Sequence, residues 1–239
     1  MSRVLPPSSA NTEVTIDSTS GNGAKISVKT RLSSGRAILY ALTLDPIAIA
    51  VAGRPVRPPL YARIMRQSWA TLSAPVRSLH ETDSPVRAYG DLRIDGGGQV
   101  ARFAARLLRL PGPGAAVRTF LTIVGGEGFE HWRRVFGECR VATRQYEAGP
   151  RELAERFGIL EIRFRLDARD GSLHYIQRRA RFRAGPVRVR IPAALAPRVE
   201  AREDPAGPDR IRIAVDIALP GIGRLIAYSG IIHVEGSRS

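Results

Sequence analysis

The run EHWRRVFG, residues 130–137, holds two arginines between a tryptophan and a phenylalanine. Read as a strand, it points Trp132, Arg134 and Phe136 one way and His131, Arg133 and Val135 the other. A guanidinium offers a fork of donors that matches a carboxylate or a phosphate. Taking its charge out of water unpaired is costly, so Arg134 must be paired, hydrated or turned outward. Glu130 shares its face, but four residues of strand put it about 13 Å away, too far to pair directly. Another element can bring up Glu155 or Asp91; failing these, the counter-ion is a ligand. The chemistry this pattern favours is the binding of a hydrophobic acidic small molecule, fatty-acid-like, in a cavity lined by Trp132, Phe136 and aliphatic side chains. Arg134 would hold the acidic head, with His80 and Tyr228 as further polar groups of the ligand-binding site. The bland alternative is a filled barrel in which Arg134 makes an internal ion pair or snorkels to the rim.

Other chemistries find less to work with. His80, His131, His174 and His233 are far apart in sequence and no cysteine pair accompanies them, so no metal site is expected. Cys139, in GECRV, has no local base and reads as an inert thiol. DGGGQ and GGEG lack the spacing of the phosphate-binding loops and read as turns, and no cofactor is expected. HWRRVF has the mix of basic and aromatic residues on which bases stack, but with 6% aromatics overall it stands alone, and no specific nucleic acid is expected.

The elements that must position these residues are legible in the periodicity. Residues 1 to about 35 lack a sustained apolar period and AILYALTLDPIAIAVAG could form one or two strands, so that 1–55 reads as a flexible or weakly structured N-terminal arm. GRPVRPP then punctuates the chain, and residues 56–239 form a single domain. Leu60, Tyr61, Ile64, Met65, Trp69 and Leu72 recur at helical steps and predict one helix with a buried stripe. Pro75 ends it, and VRSLHE follows as a turn or short helix. A strand over 86–94 leads through DGGG to a second helix, where Val100, Phe103, Ala104, Leu107 and Leu108 are expected to face the core and Arg102, Arg106 and Arg109 to face away. Beyond residue 115 the period becomes two: Leu160, Ile162, Phe164 and Leu166 share one face, and Ile211, Ile213, Val215, Ile217 and Leu219 another. Seven or eight strands fit this pattern. The fold class expected is α+β, N-terminal helices followed by a large antiparallel curved sheet or β-barrel, calycin-like, with a helix-grip fold as the alternative.

The 239 residues carry a net charge of +15, supplied almost wholly by arginine, since Lys25 and Lys29 are the only lysines. Such a field attracts nucleic acid, anionic lipid or acidic ligands without choosing among them. The arginines are spread along the chain, and alternation in RVR, RFR and RIR places Arg163, Arg165, Arg188, Arg190, Arg210 and Arg212 on the wet side of strands, where they discourage edge aggregation. With one cysteine the chain forms no internal disulfide, and a reducing compartment fits. The N-terminus has no apolar run after a basic start, and the stretch 37–52 is short and broken by Asp45 and Pro46, so the expectation is a cytoplasmic protein with no membrane span.

PPLYARIMRQSWATLSAPVRSLH, WRRVFG, ERFGILEIRFRL, GPVRVRIPAALAPRVEARE and DIALPGIGRLIAYSGII, in that order and spacing, resemble a bacterial family called domain of unknown function 4166, over about residues 59–234. The family's recurring residues fall here at His80, Trp132, Arg134, Phe136, Phe157, Gly158, Pro192, Pro197, Tyr228 and Gly230. The resemblance implies no established activity. It does imply either stand-alone proteins or domains joined to nucleotide-cofactor oxidoreductase-like domains, the second case giving an oxidoreductase partner. Three functions therefore stand as expectations: a non-enzymatic binding domain, an isomerase or cyclase using His80 or Tyr228 for proton transfer, and an accessory subunit of an oxidoreductase.

Overall fold

The computed structural model describes residues 13–19, 25–31 and 58–235, and the chain divides into two units at residues 54 and 55. In the first unit, β1 (Glu13–Thr19) and β2 (Lys25–Arg31) pair as an antiparallel hairpin. The Val, Ile and Thr alternation of EVTIDST and KISVKTR suits a pleated ribbon. The stretch AILYALTLDPIAIAVAG lies outside the described residues.

In the second unit α1 (Leu60–Met65) runs into a 3-10 turn at Arg66–Thr71, and α2 (Ala74–Leu79) follows with Pro75 in its first turn. The single helix expected over 60–72 is thus broken. Arg66 turns to a positive φ of 55°, which redirects the chain so that Leu72 and Val76 reach the same core as Tyr61 and Ile64. Then come β3 (Val86–Gly96), α3 (Gln99–Leu107) and ten more strands: β4 (Gly114–Gly126), β5 (Phe129–Phe136), β6 (Cys139–Gly149), β7 (Glu152–Phe157), β8 (Leu160–Arg169), β9 (Ser172–Ala184), β10 (Val187–Ile191), β11 (Arg198–Pro205), β12 (Arg210–Leu219) and β13 (Gly223–Glu235).

Strands β3 to β9 form an antiparallel meander; β9 then pairs with β11, β11 with β12, β12 with β13, and β13 returns to β3. Ten strands close a barrel, and β10 hangs on the outer half of β9 as an edge strand. The seven or eight strands expected undercount the sheet, because short runs such as ELAERF and VRVRI carry too few alternations to stand out. Where β9 leaves β11 for β10, the Gln177 side chain continues the ladder: its amide donates to the Pro197 carbonyl at 2.6 Å and accepts from the Val199 N–H at 2.7 Å. The β3–β13 seam is unusually close, since a Cβ at Gly90 would sit against the Ile231 carbonyl and one at Gly230 against the backbone of Asp91 and Leu92. Glycine is what lets two strands meet there.

The two short helices plug one end of the barrel. Leu60, Tyr61, Ile64, Met65, Val76 and Leu79 are buried against strand residues including Ile123, Leu153, Leu173 and Ile232. Closing the ten barrel strands leaves β10 as an edge and gives the inward apolar side chains one shared interior. On the outer face, Glu161 accepts from Tyr146 and pairs with Arg163 and Arg183, while Glu152 pairs with Arg163 and Arg179. Arg163 thus has the structural part that its alternation suggests. These partners hold the carboxyls of Glu152 and Glu161 below the usual glutamate range, more than offsetting the burial that acts the other way.

Helix α3 reverses the expected orientation. Its buried residues are Ala101 and Ala105, while Val100, Phe103 and Leu107 are 67%, 71% and 76% exposed. The cause is close approach. The helix packs on β13, and a Cβ at Gly97 would collide with the Arg224 carbonyl and with Ala101, so only its small side chains fit against the barrel.

Candidate functional site

Inside the barrel lies a cavity of about 790 Å3, within the range of small-molecule sites and lined mainly by apolar side chains. Strand β5 runs its length. At the plug end Glu130 accepts from Thr82, just after α2, and at the other end Cys139, just after β5, donates to the Arg109 carbonyl at the end of α3. The alternation of β5 therefore sets Trp132 low, Arg134 midway and Phe136 high, and all three line the cavity together with Tyr228 from β13. His80 does not. It is fully buried behind Leu79, within the plug.

Arg134 is paired inside the wall. Its Nη1 donates to Thr143 Oγ1 at 2.9 Å, and both Nη1 and Nη2 donate to Glu155 Oε1 at 3.2 Å; the Thr143 hydroxyl donates to the same oxygen at 2.7 Å. The three residues sit on the neighbouring strands β5, β6 and β7. The guanidinium carbon also lies 4.7 Å from the centre of the Trp132 ring, whose Nε1 donates to Glu130. The indole thus serves as a platform for the cation. Burial opposes the charged guanidinium, but Glu155 outweighs it and holds Arg134 protonated above its ordinary range. The premise of an unpaired cation awaiting an anionic guest does not hold: of the two carboxylates weighed, Glu155 is the counter-ion, while Asp91 pairs with Arg118 on the surface.

The cluster is compensated but not saturated. Its hydrogen bonds use at most three of the five N–H groups of Arg134, and among the described residues Glu155 Oε2 accepts none. The Tyr228 hydroxyl has no hydrogen-bond partner among the described residues, its ring resting on Phe136 at 5.3 Å. Burial pushes the Tyr228 phenol up despite the nearby Arg134, which keeps it a neutral donor.

Below this cluster a second polar network ties plug to wall. Tyr61 donates to Gln145 at 2.6 Å and contacts the Tyr175 hydroxyl at 3.1 Å; Tyr175 donates to Glu203 at 2.8 Å, and Glu203 meets His80 Nε2 at 2.7 Å. The His80 ring stacks on Tyr61 at 3.7 Å, closing a circuit across α1, α2, β9 and β11. His80 Nδ1 is buried without a hydrogen-bond partner, while Nε2 faces Glu203. Burial foremost, then neighbouring glutamates, pushes the phenols of Tyr61 and Tyr175 far up.

Tyr61, Gln145, Thr143, Glu155, Tyr175 and Glu203 escaped the sequence reading as site residues, although Glu155 was weighed as a counter-ion. The signal available was inward position on an alternating strand, as with Glu155 in ELAERF, but register between distant strands is needed to make it specific. Among the described residues no three of His, Cys, Asp and Glu converge to hold a metal. Cys139 is half-buried, and burial pushes its thiol up, away from nucleophilic use.

The fold and site together define a closed antiparallel barrel, plugged by helices at one end, with a polar cluster deep in an apolar cavity. The chain belongs to the family described as domain of unknown function (DUF4166), whose model matches residues 72–232. No curated protein matches it. Among solved structures it is similar to the crystal structure of Rv2717c from M. tuberculosis, at 10% identity over 68% of this chain and 98% of that one, with a TM-score of 0.35. No helix among the described residues is long and apolar enough to cross a membrane.

Proposed function

We propose that this barrel is a binding protein for an elongated apolar molecule bearing a neutral hydroxyl end. One observation carries this: a large apolar cavity holds, deep inside, a polar cluster whose charges already balance while both donors and an acceptor stay unused. A hydroxyl uses both kinds, accepting from Arg134 or Tyr228 and donating to Glu155 Oε2. A carboxylate fits less well, because deep in the cavity it would meet Glu155 and Glu203 beside an Arg134 whose charge Glu155 already balances, and the desolvated repulsion is costly. The acidic head expected from the sequence thus gives way to a neutral one, while the greasy body of the ligand stays.

The proton-transfer reading from His80 draws no support from the geometry, since His80 is walled off from the cavity. Native mass spectrometry of freshly purified full chain, with extraction and identification of any bound molecule, tests the proposal. A co-purifying long-chain alcohol or sterol-like compound supports it. A co-purifying fatty acid retained by the Glu155→Gln variant at higher occupancy would point to the acidic ligand instead.

A further inference from the structure

The cavity opens at the end opposite the plug, and its rim is greasy. Leu107 and Leu108 at the end of α3, Ile159 in the β7–β8 turn, Phe182 on β9 and Leu195 after β10 all line the cavity, and all are exposed, Leu195 by 69% and Ile159 by 59%. Beside them α3 turns Val100, Phe103 and Leu107 outward, at i, i+3 and i+7, so that one helical stripe faces solvent. On the far side of the rim, Val187 and Val189 of β10 are likewise exposed. Val189 stands opposite Phe182, which places it on the same face of the sheet. Large apolar side chains left exposed around one opening mark an interaction site.

Two stretches of chain at this rim carry positive charge alone, although Asp95 and Glu138 lie at the same end of the barrel. From Gly96 to Gly126 the chain carries Arg102, Arg106, Arg109 and Arg118 and neither Asp nor Glu. From Gly171 to Val199 it carries seven arginines and again no acid. Those two segments supply α3, β9, β10 and the loop with Leu195, which are most of the rim. A short amphipathic helix with arginines flanking its apolar stripe is built to lie in the headgroup region of a bilayer, the stripe among the acyl chains and the guanidiniums against lipid phosphates.

We infer that the open end of the barrel docks on an anionic lipid bilayer through α3 and the rim of exposed apolar residues. The occupant is a bilayer and not another polyanion because the arginines alternate with large aliphatic and aromatic side chains, which nucleic acid phosphates do not satisfy. Docking stands on the surface alone. That it aims the cavity mouth at the membrane, so that the ligand passes between the two without crossing water, rests on the function proposed above.

The test is co-sedimentation of the full chain with vesicles of mixed phosphatidylcholine and phosphatidylglycerol, with pure phosphatidylcholine vesicles beside them. The expected result is binding to the mixed vesicles that weakens at least tenfold in the Phe103→Ser/Leu107→Ser double variant, and by a similar factor in Arg106→Glu/Arg109→Glu or on raising salt. These positions are exposed, and circular dichroism checks that the fold persists. A cavity-filling Val215→Trp variant should still sediment, which separates docking from ligand binding. No binding to mixed vesicles, or binding indifferent to the Phe103 and Leu107 substitutions and displaced by duplex DNA, would overturn the inference. Vesicle-independent self-association abolished by the same apolar substitutions would assign the rim to a second copy of the chain and overturn it too.

Discussion

Both Nη atoms of Arg134 stand 3.2 Å from a single oxygen of Glu155, two strands away around the barrel wall. That pair explains how a guanidinium shares a face with Trp132 and Phe136 inside an apolar interior. It is a charge brought in with its own counter-ion, laid over an indole and braced by Thr143. The residual exposed surface of Arg134, 15% of its side chain, is cavity surface.

Removing half of this pair is expected to cost more than removing both. Arg134→Leu leaves Glu155 without its cation beside the cavity and should lower stability by about 3 kcal/mol, the low end for a broken buried pair because the cavity admits water. The Arg134→Leu/Glu155→Leu double variant should recover most of that loss. Urea denaturation of the four proteins of the cycle checks it, and a double variant as unstable as the sum of the singles would deny the coupling.

His80 belongs to the plug. His80→Ala strips Glu203 of one partner and opens a gap against Tyr61, so a loss of about 2–4 kcal/mol is expected. Affinity for a cavity ligand should stay within about twofold, that is within about 0.4 kcal/mol. Thermal denaturation and ligand titration on one preparation decide the matter, and an intact fold with abolished ligand binding would return His80 to the site.

Stability should depend on pH in two opposed ways. Glu152 and Glu161 have folded-state pKa values below their unfolded ones, so their contribution is present above the ordinary glutamate range and is lost as pH falls through the folded values. Glu130 has the reverse shift: burial raises it, with His80, Trp132 and Thr82 only partly compensating. The folded state then holds the Glu130 proton more tightly, and stability falls as pH rises from the unfolded toward the folded value. Glu130→Gln, which still offers Trp132 an acceptor, should therefore gain stability relative to the parent across that window and lose the advantage in acid. Denaturation series across the acid-to-neutral range check this, with a gain that grew toward low pH counting against it.

At the β3–β13 seam, Gly90→Ala pushes a methyl into the Ile231 carbonyl. A loss of about 2–4 kcal/mol is expected, against well under 1 kcal/mol at Gly98, where a Cβ meets nothing within 4 Å. Comparing the two variants in urea separates the close approach from the general effect of replacing a glycine.

Much of this barrel can be read from its chain. The alternation of Leu160 to Leu166 and of Ile211 to Leu219 declares one dry face, and a sheet that large must curl to bury it. The pairing of β9 with β11 and the return of β13 to β3 cannot be read, because pairing of strands distant in sequence depends on shape complementarity that no local pattern encodes. Helix α3 shows the other limit. Its apolar stripe is real, but the periodicity cannot say whether the stripe or the alanine face meets the barrel; that was decided by the tight space beside Arg224. Arg134, Trp132 and Phe136 stand out in the sequence because an arginine among inward aromatics is conspicuous, whereas Tyr228 is suggested only by the family resemblance. Glu155 and Glu203 were not placed in the site, since a lone glutamate on a strand looks like any solvated one.

The central claim is that the cavity takes an apolar molecule by a neutral hydroxyl. Isothermal titration of the full chain with a long-chain primary alcohol and with the carboxylate of equal length tests it most directly, using Val215→Trp as the filled-cavity control. The account predicts one alcohol bound per chain, the carboxylate at least tenfold weaker, and neither bound by the control. Tighter binding of the carboxylate, or no binding of either by folded protein shown to be free of bound molecules, would contradict it.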